Sequence, residues 1–173
     1  MKDLGKTKFS IGLEIEHFPN RVLVHQSTYI KKILKHFYMD KAHPLTSPLV
    51  VWPLDVKNDP FRPCKKSEEV LGPKVPYISV FGALIYLANC TCLNIAFYVN
   101  LLARYSSTLT WRHWNGIKHM LCYLRETAYI GLFYSRESKQ QLLGYTNAGY
   151  LADPHKGSSQ TGYMFNYNGT IIS

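Results

Sequence analysis

The spacing of apolar positions changes several times along this chain, and each spacing predicts a different element. Residues 9–18, FSIGLEIEHF, alternate: Ile11, Leu13 and Ile15 fall on one face, and Gly12, Glu14 and Glu16 on the other. That is the period of two a half-buried strand needs. Pro19-Asn20 supplies turn chemistry, and RVLVHQ returns as the second strand of a hairpin. Ser27 is placed to N-cap a helix over TYIKKILKHFYM. Its buried stripe is Ile30, Ile33, Leu34 and Phe37, with Lys31, Lys32 and Lys35 turned to water or to a phosphate backbone.

Between residues 43 and 76 periodicity disappears. Seven of the nine prolines lie there, and because proline fixes φ and removes a backbone donor, an extended connector is expected rather than a packed element. From Tyr77 to Ala103 no residue is charged, a run long enough to raise the question of a membrane span. Asn89, Thr91, Asn94 and Asn100 interrupt it, and NCTCLN reads as a break, so a buried helical hairpin is favoured. Thr110 caps a further helix through Arg125, with Trp114, Ile117, Leu121 and Leu124 at core spacing and Arg112, Lys118 and Arg125 among its other positions. After residue 130 the period returns to two. LLGYTN and TGYMFNY read as strands, and Asn168-Gly169 is a type I′ hairpin signal leading into TIIS. A strand edge ending at Ser173 would leave apolar groups and a hydrogen-bonding ladder without partners.

Composition narrows the class. With 46% hydrophobic and 14% aromatic residues the chain is built to bury a core, which excludes a disordered polar segment. Lysine and arginine outnumber aspartate and glutamate by 20 to 11, and the net charge of +9 suits a polyanionic partner, nucleic acid first. MKDLGKTKFS has no apolar run of a secretory signal. The four cysteines form no CxxC pair and no disulfide ladder, so reduced thiols and a cytoplasmic or nuclear location are expected. His113, His119 and Cys122 are close in sequence, but offsets of six and nine residues scatter them around a helix, and no metal site is expected.

Six segments, in order, carry a resemblance: MKDLG with IGLEIE (1–16), HQSTYIKKILKHFYMDKAHPLTSPL (25–49), VPYISVFGALIYLANCT (75–91), IAFYVNLLARYSS (95–107), RHWNGIKHMLCYL (112–124) and GYTNAGYLADPHKGSSQTGYMF (144–165). No single segment is specific; the ordered set, covering almost the whole chain, resembles the copia-type retrotransposon Pol polyprotein where reverse transcriptase runs into RNase H. The resemblance implies four parts: the end of the palm and start of the thumb (1–42), the Pro-rich connector (43–76), a helical thumb- and connection-like region (77–130) and truncated RNase H-like strands (131–173). The fold expected is therefore α+β, with an N-terminal β-hairpin and helix, the connector, a helical bundle and a C-terminal antiparallel RNase H-like hairpin.

Departures from the family pattern bear on activity. Family members use Mg2+ held by acidic residues, since a hard cation wants anionic oxygens and two such ions stabilise the attacking and leaving oxygens. Where the nuclease strand reads Tyr-x-Asp in the family, this chain has Tyr145-Thr146-Asn147, a neutral amide in place of the first metal-binding aspartate. Asp153, in the following loop, reads as a turn residue. The polymerase aspartate pair would precede Met1, the remaining nuclease acids would follow Ser173, and no Asp-Asp pair occurs in the chain. Cys92-Leu93-Asn94 replaces the family's Arg-Pro-Asp, which creates the charge-free run, and Glu126 replaces a glycine that would end its helix.

These readings lead to a catalytically inactive Pol segment without a cofactor or a small-molecule substrate, not membrane-bound and prone to associate through uncovered apolar faces. Its residual activity would be weak, sequence-independent binding of an RNA–DNA hybrid or other nucleic acid through Lys31, Lys32, Lys35, Arg112, Lys118 and Arg125. The alternative is a repurposed interaction protein. NDPFRPC, GALIYLANCT and LLARYSS also resemble copia-derived secreted RxLR effectors of plant-pathogenic oomycetes, although no RxLR followed by an acidic-Arg motif is visible.

Overall fold

The computed structural model describes residues 5–49, 61–65, 67–72, 75–136, 141–149 and 159–172. The fold is α+β, with four α-helices and two antiparallel sheets among the described residues. The four-stranded sheet has the order β1 (Phe9–Ser10), β2 (Leu13–His17), β3 (Arg21–His25), β4 (Leu132–Ser135).

The alternation over 9–18 does not form one strand. Ile11 and Gly12 both take positive φ, 50° and 75°, and the chain doubles back so that Ser10 pairs with Leu13 and Phe9 with Glu14. A two-residue turn with both central residues left-handed matches the twist of the strands it joins, and at Ile11 a β-branched side chain is held where it is disfavoured. Tyr86 secures that turn: its hydroxyl donates to the Ile11 carbonyl at 2.6 Å, and a Cβ on Gly12 would stand 2.6 Å from the Tyr86 hydroxyl oxygen. Ile11 is therefore not on the buried face. Its side chain is 89% exposed.

Helix α1 (Ser27–His36) begins one residue earlier than its sequence suggests, and Ser27 does not cap it. Glu14, across the chain on β2, does this instead. It accepts the Thr28 N–H at 2.7 Å, the Thr28 hydroxyl at 3.0 Å and the Ser27 hydroxyl at 3.3 Å. An anionic acceptor at a helix N-terminus meets both the unpaired N–H groups and the positive end of the dipole. Replacing Glu14 with alanine should cost about 0.5–2 kcal/mol, the usual range for a lost cap. Glu14→Gln keeps the acceptor and should cost less; equal melting temperatures for the two variants would contradict this assignment.

α2 (Tyr77–Cys90), a 3-10 turn (Leu93–Ile95) and α3 (Ala96–Ala103) form the expected hairpin, broken within NCTCLN. α2 and α3 are tied by the Tyr77 hydroxyl, which donates to the Leu102 carbonyl at 2.8 Å, and burial pushes that phenol up to about 12. α4 (Trp111–Glu126) starts at Thr110 in a capping box completed by His113, whose ring also stacks on Tyr105 with centroids 4.5 Å apart. It ends at Glu126 without a glycine: the Thr127 N–H and hydroxyl both donate to the Tyr123 carbonyl, at 3.0 and 2.9 Å. No helix among the described residues is long and apolar enough to cross a membrane.

One core gathers these helices. Ile30, Ile33 and Leu34 of α1 meet Val80, Leu84 and Leu87 of α2, Val99 and Leu102 of α3, and Ile117, Met120, Leu121 and Leu124 of α4, all buried. The connector adds to it, contrary to a purely extended reading. Phe61 is buried and its ring lies over Gly116, where an added Cβ would stand 2.7 Å from it; Leu49, Leu71 and Val75 pack at the margin. Pro53, Pro60 and Pro73 lie outside the described residues.

β4 was not resolved from the sequence as a separate strand. It pairs antiparallel with β3, Val22 opposite Tyr134 and Leu23 opposite Phe133, and so completes the N-terminal sheet. The second sheet has the order β5 (Leu142–Gly149), β6 (Gln160–Tyr167), β7 (Thr170–Ile171), with Asn168 (φ 52°) and Gly169 (φ 86°) forming the expected tight turn. Its apolar side chains are uncovered on both faces: Leu143, Tyr145 and Met164 on one, Leu142, Tyr163 and Phe165 on the other, each exposed. Thr170 donates from its hydroxyl to the Phe133 carbonyl, a bond between the two sheets.

Candidate nucleic-acid interface

The six basic residues expected to meet nucleic acid occupy two helices and behave differently. Lys31, Lys32 and Lys35 are exposed on α1, the Lys31 ammonium lying 4.5 Å from the centre of the Tyr129 ring. On α4, Lys118 lies 5.9 Å from the centres of both Trp111 and Trp114. Arg112 and Arg125 have internal partners. Arg125 donates to the Ala42 carbonyl, which pins the chain beyond α1 to α4. Arg112 donates to Glu68 Oε2 at 2.7 Å, while Arg62 donates to Glu68 Oε1 at 2.6 Å.

Glu68 thus joins the connector to α4 and sits well below the ordinary carboxylate range, at about 2 instead of 4.5. The Lys65 N–H bonded to it at 3.0 Å contributes most; partial burial acts the other way, and the two arginines add to the depression. Glu14 is also held low: burial raises it, but the Thr28 N–H and hydroxyl, His25 and Ser27 together outweigh that. A carboxyl whose folded value is depressed stabilises the fold above its unfolded value and loses that contribution as pH falls through the folded one. Acid should therefore weaken the fold below the ordinary 4.5, with the Glu68 part gone below about 2. Melting temperatures followed across this window should fall less for Glu68→Gln than for the unsubstituted protein.

Of these six residues, Lys32 and Lys118 line surface clefts. One cleft, about 290 Å³, is lined by Tyr29, Lys32, Ile33, His36, Phe37, Ser79 and Ala83. A second, about 180 Å³, is lined by His36, Phe37, Tyr38, Met39, Pro76, Trp114, Lys118 and Leu121. His36 and Phe37 belong to both. The aromatic members were not anticipated as site residues. Trp114 sits at core spacing and is only half-buried, and Tyr38 falls inside the expected helix although α1 stops at His36. Tyr38 instead takes φ 57° and is 90% exposed, and its signal in the sequence is only its place at the end of an amphipathic run.

Asn147 lies on β5 opposite Gly162 of β6, and it is exposed. Neither strand carries an aspartate or glutamate, so the donors there are neutral and do not fit Mg2+, which is held by anionic oxygens. Asp153 lies outside the described residues. His113 and His119 serve structure: His113 completes the α4 cap, and His119 donates from Nε2 to the Ser47 carbonyl at 3.0 Å. Among the described residues no three His, Cys, Asp or Glu side chains are grouped to hold a metal ion.

A retrovirus-related Pol polyprotein from transposon TNT 1-94 of Nicotiana tabacum is 34% identical over 177 residues, covering 100% of this chain and 13% of the polyprotein. The Pol polyproteins of the Arabidopsis thaliana transposons RE2 and RE1 are 28% and 27% identical over 95% of the chain, which covers 11% of each. The chain belongs to the copia-type retrotransposon Pol family. This Pol segment thus spans a small part of the polyproteins it matches. It is also similar, at 26% identity over 100% of its length, to an uncharacterized mitochondrial protein of Arabidopsis thaliana, of which it covers 68%. The secreted RxLR effector protein 161 of Plasmopara viticola is 35% identical over 99 residues, 57% of this chain and 70% of the effector. No family model matches the chain, and no solved structure does.

Proposed function

We propose that this Pol segment is a catalytically inactive, sequence-independent nucleic-acid-binding element, with 1–42 corresponding to the end of the palm and start of the thumb, 43–76 to the connector, 77–130 to thumb and connection, and 131–173 to truncated RNase H-like strands. The observation that carries the inactive part is Asn147. The family motif puts the first metal-binding aspartate there, and β5 and β6 offer no carboxylate to replace it. A neutral amide can lend a carbonyl oxygen but not the charge that holds a divalent ion at a scissile phosphate.

Binding is supported by the +9 charge and by Lys31, Lys32 and Lys35 standing exposed along one helix. Such contacts act by releasing counterions, so affinity for an RNA–DNA hybrid should fall steeply with salt. Replacing all three lysines with glutamine should lower the slope of log K against log salt by up to roughly 2.7, about 0.9 for each phosphate contact removed. Affinity indifferent to salt would end this reading of the surface. Hydrolysis of the hybrid with magnesium or manganese, lost on Asn147→Ala, would end the inactive one.

A second reading rests on the 35% identity to an RxLR effector. In that case the chain is an interaction protein derived from the Pol sequence and acts outside the cell that makes it. Fractionation of the source organism separates the two: protein recovered in the extracellular fraction supports the effector reading.

A further inference from the structure

We propose that the two clefts joined at His36 and Phe37 form a continuous groove for a single strand of nucleic acid, with unpaired bases stacking on Tyr38 and Trp114 and the backbone lying along Lys32, His36 and Lys118. The proposal rests on the nucleic-acid reading above and names the form of nucleic acid that this surface takes.

Three observations converge. First, the groove alternates rings with cations. Tyr29, Phe37, Tyr38 and Trp114 supply the faces, Lys32 and Lys118 the charge, and His36 a further polar group between them. Base stacking on aromatic side chains combined with a basic track is how single strands are held without reading sequence. A duplex keeps its base faces inside the stack and cannot use the rings.

Second, no carboxylate lines either cleft. Asp40, two residues beyond Tyr38, is exposed but is not part of the lining. The contrast within the molecule is informative. The larger cleft beside the N-terminal sheet, about 460 Å³, also carries lysines, but Glu14 and Glu16 line it and would repel a phosphate.

Third, Tyr38 offers its ring to solvent. It is the left-handed residue of the Schellman cap that closes α1, with its N–H donating to the Lys35 carbonyl at 3.2 Å and the Met39 N–H to the Leu34 carbonyl at 2.8 Å, and 90% of its surface is exposed. Trp111, 53% exposed, extends the aromatic surface beyond Trp114, with Lys118 within 5.9 Å of both indole centres.

The test uses fluorescence anisotropy of the whole chain with a labelled oligothymidylate strand and with a duplex of equal length. The single strand should bind more tightly. Tyr38→Ala, at a position contributing little to the core, should weaken single-strand binding by roughly 5- to 150-fold, the loss of one stacked base, and leave duplex binding unchanged. Tyr38→Phe should retain most of the affinity. Lys118→Gln should reduce the salt slope for the single strand by roughly 0.7. Salt-dependent binding that survives Tyr38→Ala intact, or a duplex bound as tightly as the single strand, overturns the groove and leaves the broader reading standing. No binding to strand, duplex or hybrid overturns both.

Discussion

Phe61→Ala is expected to lower the free energy of unfolding by about 3–5 kcal/mol, the range for deleting a buried aromatic ring. The ring is buried where α4 offers Gly116 and α3 offers Leu102, so truncation leaves a cavity bounded by two helices that cannot close over it. For a domain whose total stability is about 5–15 kcal/mol, that is a large share. Urea unfolding of the variant, with an unchanged denaturant slope, measures it. A loss under about 1 kcal/mol would show that the ring is not part of the core, since buried Phe→Ala changes cost several times as much. The reciprocal change, Gly116→Ala, should also destabilise, because a Cβ there would stand 2.7 Å from the same ring.

Gly131→Ala should be comparably severe for a different reason. A Cβ at this position would lie 2.5 Å from the Val24 carbonyl oxygen, 2.8 Å from the His25 Cβ and 2.9 Å from a Leu23 methyl. The nearest obstacle is backbone and cannot rotate away, so the strands must part. Overpacking costs about 1–3 kcal/mol where side chains can adjust, and the upper end is expected here. The effect should be local. Hydrogen exchange should accelerate at the amides of Arg21–Val24 and Leu132–Ser135, which the register pairs, while α2 and α4 keep their protection. Unchanged protection in β3 and β4 would contradict the close approach.

Neither position is marked by the local patterns that made other parts of the chain readable. Ile30, Ile33 and Leu34, and Ile117, Leu121 and Leu124, were legible because helical spacing is a local signal and the residues that repeat are the ones that pack. Asn168-Gly169 was legible because that turn needs positive φ at both positions. Ile11-Gly12 makes a turn of the same hand and was missed. Isoleucine is a poor occupant of such a turn, and alternation continues through a two-residue turn without a visible break.

Partners distant in sequence escaped for another reason. Ser27 looked like a cap because serine commonly is one, but the acceptor that reaches the α1 amides is Glu14, brought there by pairing of β2 with β3. Phe61 gave no periodic signal among prolines, and β4 is too short to announce a partner. In the candidate site, the charges of Lys32 and Lys118 were legible and their shared border was not. His36 and Phe37 join the two clefts only after the α1 end packs against α2 on one side and α4 on the other.

The pairing of Val22 with Tyr134 spans more than a hundred residues of chain. On a ribosome adding about 5–20 residues each second, β3 waits roughly 5–20 s before β4 is even synthesised. Throughout that interval the outer edge of the N-terminal hairpin offers unpaired amides and carbonyls to any neighbour. Long-range pairing also slows folding in dilute solution, because loop closure must precede the contacts that reward it. Yield of this protein in cells should therefore respond to chaperone supply and to synthesis rate more than the stability of its helical core would indicate.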